Sequence, residues 1–166
     1  MRFFLESIII LIINVVQYEC LQYELKYTFN KTNGGHLMAV DVLCLVKVEN
    51  STKTYLASGS YDSRIRIFEL NENGDFKLKY YFIFENGGHE NTVTKLIDIG
   101  NGLLASGSDD TTVKIWDLNK GELKYSFTDH RDKILSLVRL DDGLLASGSK
   151  DSTINIWDSG FYLQEV

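Results

Sequence analysis

Proline is absent from this chain, and no part of it shows an extended helical periodicity. Short apolar runs separated by Gly, Asn, Asp and Ser take their place, and this pattern favours an all-β protein. Only two cysteines occur, Cys20 and Cys44, with neither metal-ligand spacing nor the density of a secreted disulfide scaffold. We therefore expect two reduced thiols with structural roles.

A basic charge excess is also missing, since 17 Lys and Arg residues stand against 23 Asp and Glu residues and the pI is near 5.0. This balance provides no positive field that would attract a polyanion. We therefore expect no direct nucleic-acid partner.

Long hydrophobic runs are absent as well. The longest uninterrupted run, residues 8–13, is far short of the roughly 20 residues of a membrane-spanning helix. Residues 1–22 are nevertheless largely apolar, but Glu6 interrupts them and no small-residue cleavage pattern follows. We interpret this segment as a buried strand or the remnant of an upstream repeat, and a targeting signal within residues 1–16 is the alternative.

The main feature that is present is an internal repeat. Residues 104–118 recur at 145–159 and, less closely, at 56–70, with marker alanines 48 and 41 residues apart. Such a period indicates stacked β units. We place the repeats at about 25–70, 77–118 and 122–159, within a segment that extends over residues 23–166.

Each repeat is predicted to form four antiparallel strands joined by short turns. Its inner strands are apolar on both faces, which indicates sheets that are covered on both sides. Radial stacking of such four-stranded sheets is the propeller arrangement. The predicted fold is all-β, a partial β-propeller of about three four-stranded blades plus one extra outer strand at residues 25–29; the last strand of the third blade is placed at 161–166.

All three histidines occupy equivalent places in the repeats, each four residues before a branched apolar residue. In the second and third repeats an Asp follows the His after 21 residues, and a Trp follows that Asp after 6. In the first repeat the Asp comes 26 residues after the His, and Phe68 stands in place of the Trp.

At these positions the chain resembles the WD-repeat β-propeller family, whose units carry Gly-His near the start and Trp-Asp at the end. The second repeat has Gly88-His89 and Trp116-Asp117, and the third has Asp129-His130 and Trp157-Asp158. The first is degenerate, with Gly35-His36 and Phe68-Glu69. The resemblance covers about residues 23–166.

This resemblance implies a buried hydrogen-bonded tetrad of His, Ser, Asp and Trp in each blade. Charge-assisted hydrogen bonds of this kind contribute about 1.5–3 kcal/mol each. Phe68 has no N–H group, so the first blade is expected to be held least tightly. The implied sets are His89, Ser106, Asp110 and Trp116; His130, Ser147, Asp151 and Trp157; and the three-member set His36, Ser58 and Asp62.

A Ser, a His and an Asp also fit nucleophilic hydrolysis, so a propeller hydrolase is a distant alternative. The trio recurs three times, whereas a catalytic site is normally one asymmetric arrangement. Histidines on successive blades would be roughly 10 Å apart, too far to share a metal ion. We therefore expect no catalytic residue, no metal site and no cofactor.

The resemblance implies a noncatalytic scaffold or adaptor that binds a protein or peptide partner through loops, and we expect it in the cytoplasm. A membrane-associated or secreted version of the module is the alternative if residues 1–16 act as a signal. The candidate contact positions precede the turn Asp or follow the His, and we call them the loop face: Tyr61, Asp109, Lys150, Glu90, Asn91, Arg131 and Asp132.

Three complete blades are fewer than the about 4 to 8 of closed rings. We expect one of three explanations: the chain is a fragment of a larger propeller, which includes a nonfunctional fragment; two copies form a homodimer that completes a ring; or residues 1–23 supply part of a further blade. An open arc would leave apolar faces exposed.

Overall fold

The computed structural model describes residues 28–48, 51–140 and 143–158. They form eleven strands and one short 3₁₀ turn, Phe84–Asn86. The strands are β1 Val40–Lys47, β2 Thr54–Ser60, β3 Ile65–Leu70, β4 Phe76–Phe82, β5 Val93–Gly100, β6 Leu103–Ser108, β7 Val113–Asp117, β8 Glu122–Phe127, β9 Ile134–Arg139, β10 Leu144–Ser149 and β11 Ile154–Asp158.

Three antiparallel sheets follow one another along the chain. The first blade is β1 to β4 and the second is β5 to β8, each in sequence order, and the third contains β9 to β11. The all-β, partial-propeller prediction is therefore confirmed. The predicted fourth strand of the third blade, residues 161–166, lies outside the described residues, as do residues 1–22 and 25–27.

Consecutive blades pack through their inner strands. Val93 of β5 lies against Gly59 of the first blade, so close that a Cβ added to Gly59 would be 2.6 Å from a Val93 methyl carbon. Ile134 of β9 lies in the same way against Gly107 of the second blade, at 2.5 Å. The second blade is therefore enclosed on both faces, which explains why the sequence of its strands is apolar on both faces.

Two hydrophobic cores result, one between each pair of neighbouring blades. The first contains Ile65 and Ile67 of one blade with Val93 and Trp116 of the next. Aromatic rings link successive blades at the outer edge: Phe82 stacks on Trp116 with centroids 4.3 Å apart. The equivalent pair between the second and third blades is Phe127 and Trp157, at 4.6 Å.

Phe29 lies against Phe68 with ring centroids 4.2 Å apart, which is the relation that Phe82 has to Trp116. It thus occupies the place of a Phe on the outer strand of a preceding blade, at the end of residues 25–29, where the sequence predicts the extra outer strand. No helix within the described ranges has the length and apolar character that crossing a membrane requires.

Candidate functional site

In the second blade, one continuous hydrogen-bonded network joins the four residues that the repeat pattern singles out. The His89 ring lies 2.8 Å from an Asp110 carboxylate oxygen through Nδ1 and 2.7 Å from the Ser106 hydroxyl through Nε2. The Trp116 indole N–H donates to the same hydroxyl at 2.8 Å. His89, Ser106 and Trp116 are at most 1% exposed.

The charge state of this network follows from its surroundings. Burial lowers the pKa of His89 and outweighs the raising effect of Asp110, so the imidazole is neutral at pH 7. Burial alone would raise the pKa of Asp110, but hydrogen bonds from His89, Thr112 and the Glu90 amide hold it well below its usual value of 3.8. The ionised carboxylate therefore accepts a hydrogen bond from the Nδ1–H group, and the Ser106 hydroxyl donates one to Nε2.

The third blade repeats this geometry. His130 is 2.8 Å from both Asp151 and Ser147, and Trp157 donates to the Ser147 hydroxyl at 2.8 Å. A hydrogen bond from the Thr153 hydroxyl, together with the Arg131 amide, lowers the pKa of Asp151. Ser147 is 1% exposed.

The first blade lacks the indole and contains a different donor. His36 is 2.9 Å from Asp62 and 2.8 Å from the Ser58 hydroxyl. Phe68 donates nothing to Ser58, but the Arg66 guanidinium, 5% exposed, donates to Asp62 at 3.2 Å. Burial lowers the pKa of His36, as it does for His89. The loss of one donor at the serine is thus accompanied by an added cation at the carboxylate.

Several members of these networks were missed by the sequence reasoning. The backbone amide of the residue after each His donates to the Asp, from Leu37, Glu90 and Arg131. Thr112 and Thr153, two residues after the Asp, donate through their hydroxyls. The Thr recurs in the sequence and was a usable signal, whereas a backbone donor leaves no trace in residue type.

The chemistry of these sets is that of closed networks. Each serine hydroxyl is buried and hydrogen bonded to its His, and in the second and third blades also to its Trp. A nucleophile needs access to its substrate, and neither Ser106 nor Ser147 has it, at 0% and 1% exposure. Among the described residues, no three His, Cys, Asp or Glu side chains are grouped so that they could hold a metal ion.

The loop face lies at the end of the blades where the turn aspartates are located. Tyr61, Asp109 and Lys150 occupy equivalent positions, because the amide of each bonds the carbonyl of the residue just before the inner strand, at 2.9–3.1 Å. Tyr61 is 52% exposed, so its ring is available to a partner. Asp109 forms an ion pair with Lys133 of the third blade, a residue that the sequence reasoning did not select.

Glu90, Asn91 and Arg131 are exposed, and Asp132 is half-buried. Glu90 lies at a cavity of about 350 Å³ between the first and second blades. Phe84, 62% exposed, and Arg64 also line this cavity. The cavity thus presents an aromatic ring, a cation and a carboxylate beside the predicted contact positions.

The three repeated units match a known protein family. The family model described as "WD domain, G-beta repeat" matches residues 25–69, 80–117 and 121–158, more than half of the chain. The chain belongs to the WD-repeat family. The resemblance drawn from the Gly-His and Trp-Asp positions is confirmed. Each matched segment contains the first three strands of one blade, and the second and third segments also include part or all of the outer strand of the blade before.

Curated WD-repeat relatives are considerably longer than this chain. It is 37% identical over 106 residues to "Nuclear distribution protein PAC1" of Zygosaccharomyces rouxii, covering 58% of this chain and 22% of that protein. It is 30% identical over 109 residues to "Cell division control protein 4" of Saccharomyces cerevisiae, covering 65% of this chain and 12% of that protein.

Solved structures give the same fold. The crystal structure of the RRP9 WD40 repeats superposes with a TM-score of 0.62 at 24% identity, covering 78% of this chain and 39% of that one. The structure of U3-55K superposes with a TM-score of 0.57 at 24% identity, covering 70% and 34%. At this identity the likeness shows the WD-repeat fold alone.

Proposed function

We propose that this WD-repeat chain is a noncatalytic scaffold or adaptor that recruits a protein or peptide partner through its loop face. The observation that carries the proposal is the exposed ring of Tyr61 at the turn equivalent to that of Asp109. Tyr61 interacts electrostatically with Lys133 of the third blade, which pairs with Asp109. An exposed aromatic with charges of both signs around it is typical of a binding surface.

The buried networks support this proposal by fixing the loops. The carboxylate of each turn Asp accepts hydrogen bonds from the His ring, from the backbone amide after the His and from a backbone amide of the turn. The loop positions on both sides are therefore tied to one carboxylate. Contact residues on such a preorganised support lose little conformational entropy when a partner binds. We assign the three Ser, His and Asp sets a structural role, since their serines are buried.

The test is site-specific photo-crosslinking in cells that express the chain. A photoreactive amino acid at position 132 samples the loop face, and one at position 120, in the turn between β7 and β8, samples the opposite end. We expect protein adducts from position 132 only. Tyr61→Ala, which truncates the proposed anchor, is expected to reduce their yield about tenfold or more.

Two results would contradict the proposal: equal adducts from positions 120 and 132, or adducts from position 132 that Tyr61→Ala does not reduce.

We also propose a cytoplasmic location, with residues 23–166 as the propeller segment. Recovery of the chain in the membrane fraction, or cleavage near residues 16–20, would favour the membrane-associated or secreted alternative. A homodimer is a separate proposal with its own residues.

A further inference from the structure

Within the described residues, the two outer faces of the stack lack the partner that the inner faces have. The leading face is the side of the first blade that points away from the second blade, and it carries Val40 and Leu43 of β1. The trailing face is the side of the third blade that points away from the second, and it carries Gly148, Ile154 and Ile156. Within the described residues, each face has an enclosed counterpart.

The leading face repeats a surface that is buried elsewhere in the chain. Val40 pairs with Ser60 as Val93 pairs with Ser108, and Leu43 pairs with Ser58 as Leu96 pairs with Ser106, so the positions are equivalent. Val93 is 0% and Leu96 is 5% exposed, because both pack on the first blade. Val40 is 49% and Leu43 is 63% exposed.

The trailing face repeats the complementary surface. Ile154 pairs with Gly148 as Val113 pairs with Gly107 and Ile65 with Gly59. Ile65 and Val113 are at most 1% exposed, whereas Ile154 is 76% and Ile156 is 55% exposed. A Cβ added to Gly148 would meet Ser136 of its own blade and no side chain of a following blade, unlike one added to Gly59 or Gly107.

We propose that the leading face of one copy docks on the trailing face of a second copy. Val40 and Leu43 pack on the strip formed by Gly148, Ile154 and Ile156, in the geometry of Ile134 on Gly107 within the chain. The chain itself is the occupant that this geometry fits, because it carries both halves of an interface that it already forms twice. This surface is distinct from the loop face and does not depend on it.

Two copies can satisfy both faces of each chain at once. The contact is heterologous, because it joins two different surfaces. Further copies therefore add until the rotation from one copy to the next closes a ring. The described residues of each copy contribute three blades, and those of a pair therefore contribute six, which lies within the about 4 to 8 blades of closed rings. A closed pair leaves no apolar blade face in water, which removes the association hazard of an open arc.

The experiment is sedimentation equilibrium of the full chain of 18.9 kDa over a range of micromolar concentrations. We expect a reversible species of twice that mass. Leu43→Asp and Ile154→Asp each place a carboxylate in the docked interface, and each is expected to raise the dimer dissociation constant about 100-fold or more. Both residues are exposed in the single chain, so thermal unfolding in dilute solution checks that the variants are folded.

Mixing the two variants tests the head-to-tail arrangement. One pairing of unmodified faces remains in the mixture, so a one-to-one complex is expected where each variant alone is monomeric. Tyr125→Asp, on the outer strand of the second blade at 45% exposure, is the matched control and should leave the mass unchanged.

Three results would overturn the proposal. The unmodified chain could stay monomeric at all concentrations, or it could form species larger than a pair. Alternatively, Ile154→Asp could leave the dimer intact while Leu43→Asp breaks it, which would show that two leading faces pair with each other. Tyr61→Ala should not change the mass, so failure here leaves the loop-face proposal untouched.

Discussion

At the scale of single residues, the direction of the buried network is set by its two ends. The Trp116 indole only donates and the ionised Asp110 only accepts, so every group between them must both donate and accept. A serine hydroxyl and a neutral imidazole meet this requirement, whereas a protonated imidazole has no acceptor to offer. The network therefore depends on His89 staying neutral, which burial provides.

The pH dependence of stability follows from these shifts. Burial lowers the pKa of His36 and His89 below 6.5, so beneath about pH 6.5 the unfolded chain takes up protons that the folded chain refuses. The free energy of unfolding should change little between about pH 6.5 and 8 and should fall as the pH drops below 6.5. Below about 3.8 it should fall further, because Asp62 and Asp110 have lowered pKa values and are protonated first in the unfolded chain.

Urea unfolding between about pH 3 and pH 8 measures this profile. His36→Gln keeps a polar side chain in the first blade and removes one titrating imidazole. Below about pH 6.5 the unfolding free energy of this variant should therefore fall less steeply with pH, because up to one proton fewer is taken up on unfolding. Stability that rises as the pH falls from 6.5 would contradict the neutral state of these histidines.

At the scale of strands, the second strand of each blade must leave room for the next blade. Gly59 and Gly107 do so, since Val93 and Ile134 occupy the space where their side chains would be. The small residues Ala-Ser-Gly-Ser recur at 57–60, 105–108 and 146–149, and this sequence predicts a crowded region at these strands. Which glycine meets which side chain could not be predicted from it, because that depends on the register between blades, and no residue pattern within one blade encodes it.

Gly107→Ala tests this packing. The new methyl group would lie 2.5 Å from Ile134 Cγ2 inside the core, and overpacking of this kind costs about 1–3 kcal/mol. Gly148→Ala is the matched control at the equivalent place in the third blade. Its methyl group meets the Ser136 hydroxyl, which can rotate away, so its cost should be below about 1 kcal/mol. Chemical denaturation in dilute solution compares the two, and equal losses would show that Ile134 does not press on Gly107.

At the scale of the whole molecule, the fold class and the places of the His, Ser, Asp and Trp residues follow from the repeat. The parts that could not be predicted come from contacts between non-equivalent groups. Arg66 adds a cation at the Asp62 carboxylate of the first blade, and Lys133 ties the second and third blades through Asp109. Both departures occur where one copy differs from the others, and a repeat pattern averages such differences away.

Stability should likewise be uneven across the three blades. All six residues of Leu103–Ser108 in the second blade are buried, whereas only Leu145 and Ser147 are buried in the equivalent strand Leu144–Ser149. A blade that is already open on one face exposes less additional apolar surface when it opens locally, so its opening costs less free energy. Native-state hydrogen exchange in dilute solution should therefore be slowest in β6 and roughly tenfold or more faster in β10. Raising the protein concentration should slow exchange in β10 and β11 selectively, because docking of a second copy covers Ile154 and Ile156 and stabilises that blade by mass action. Equal rates in β6 and β10 at low concentration would mean that the three blades open as one cooperative unit, in which case the exposed faces cost the molecule no local stability.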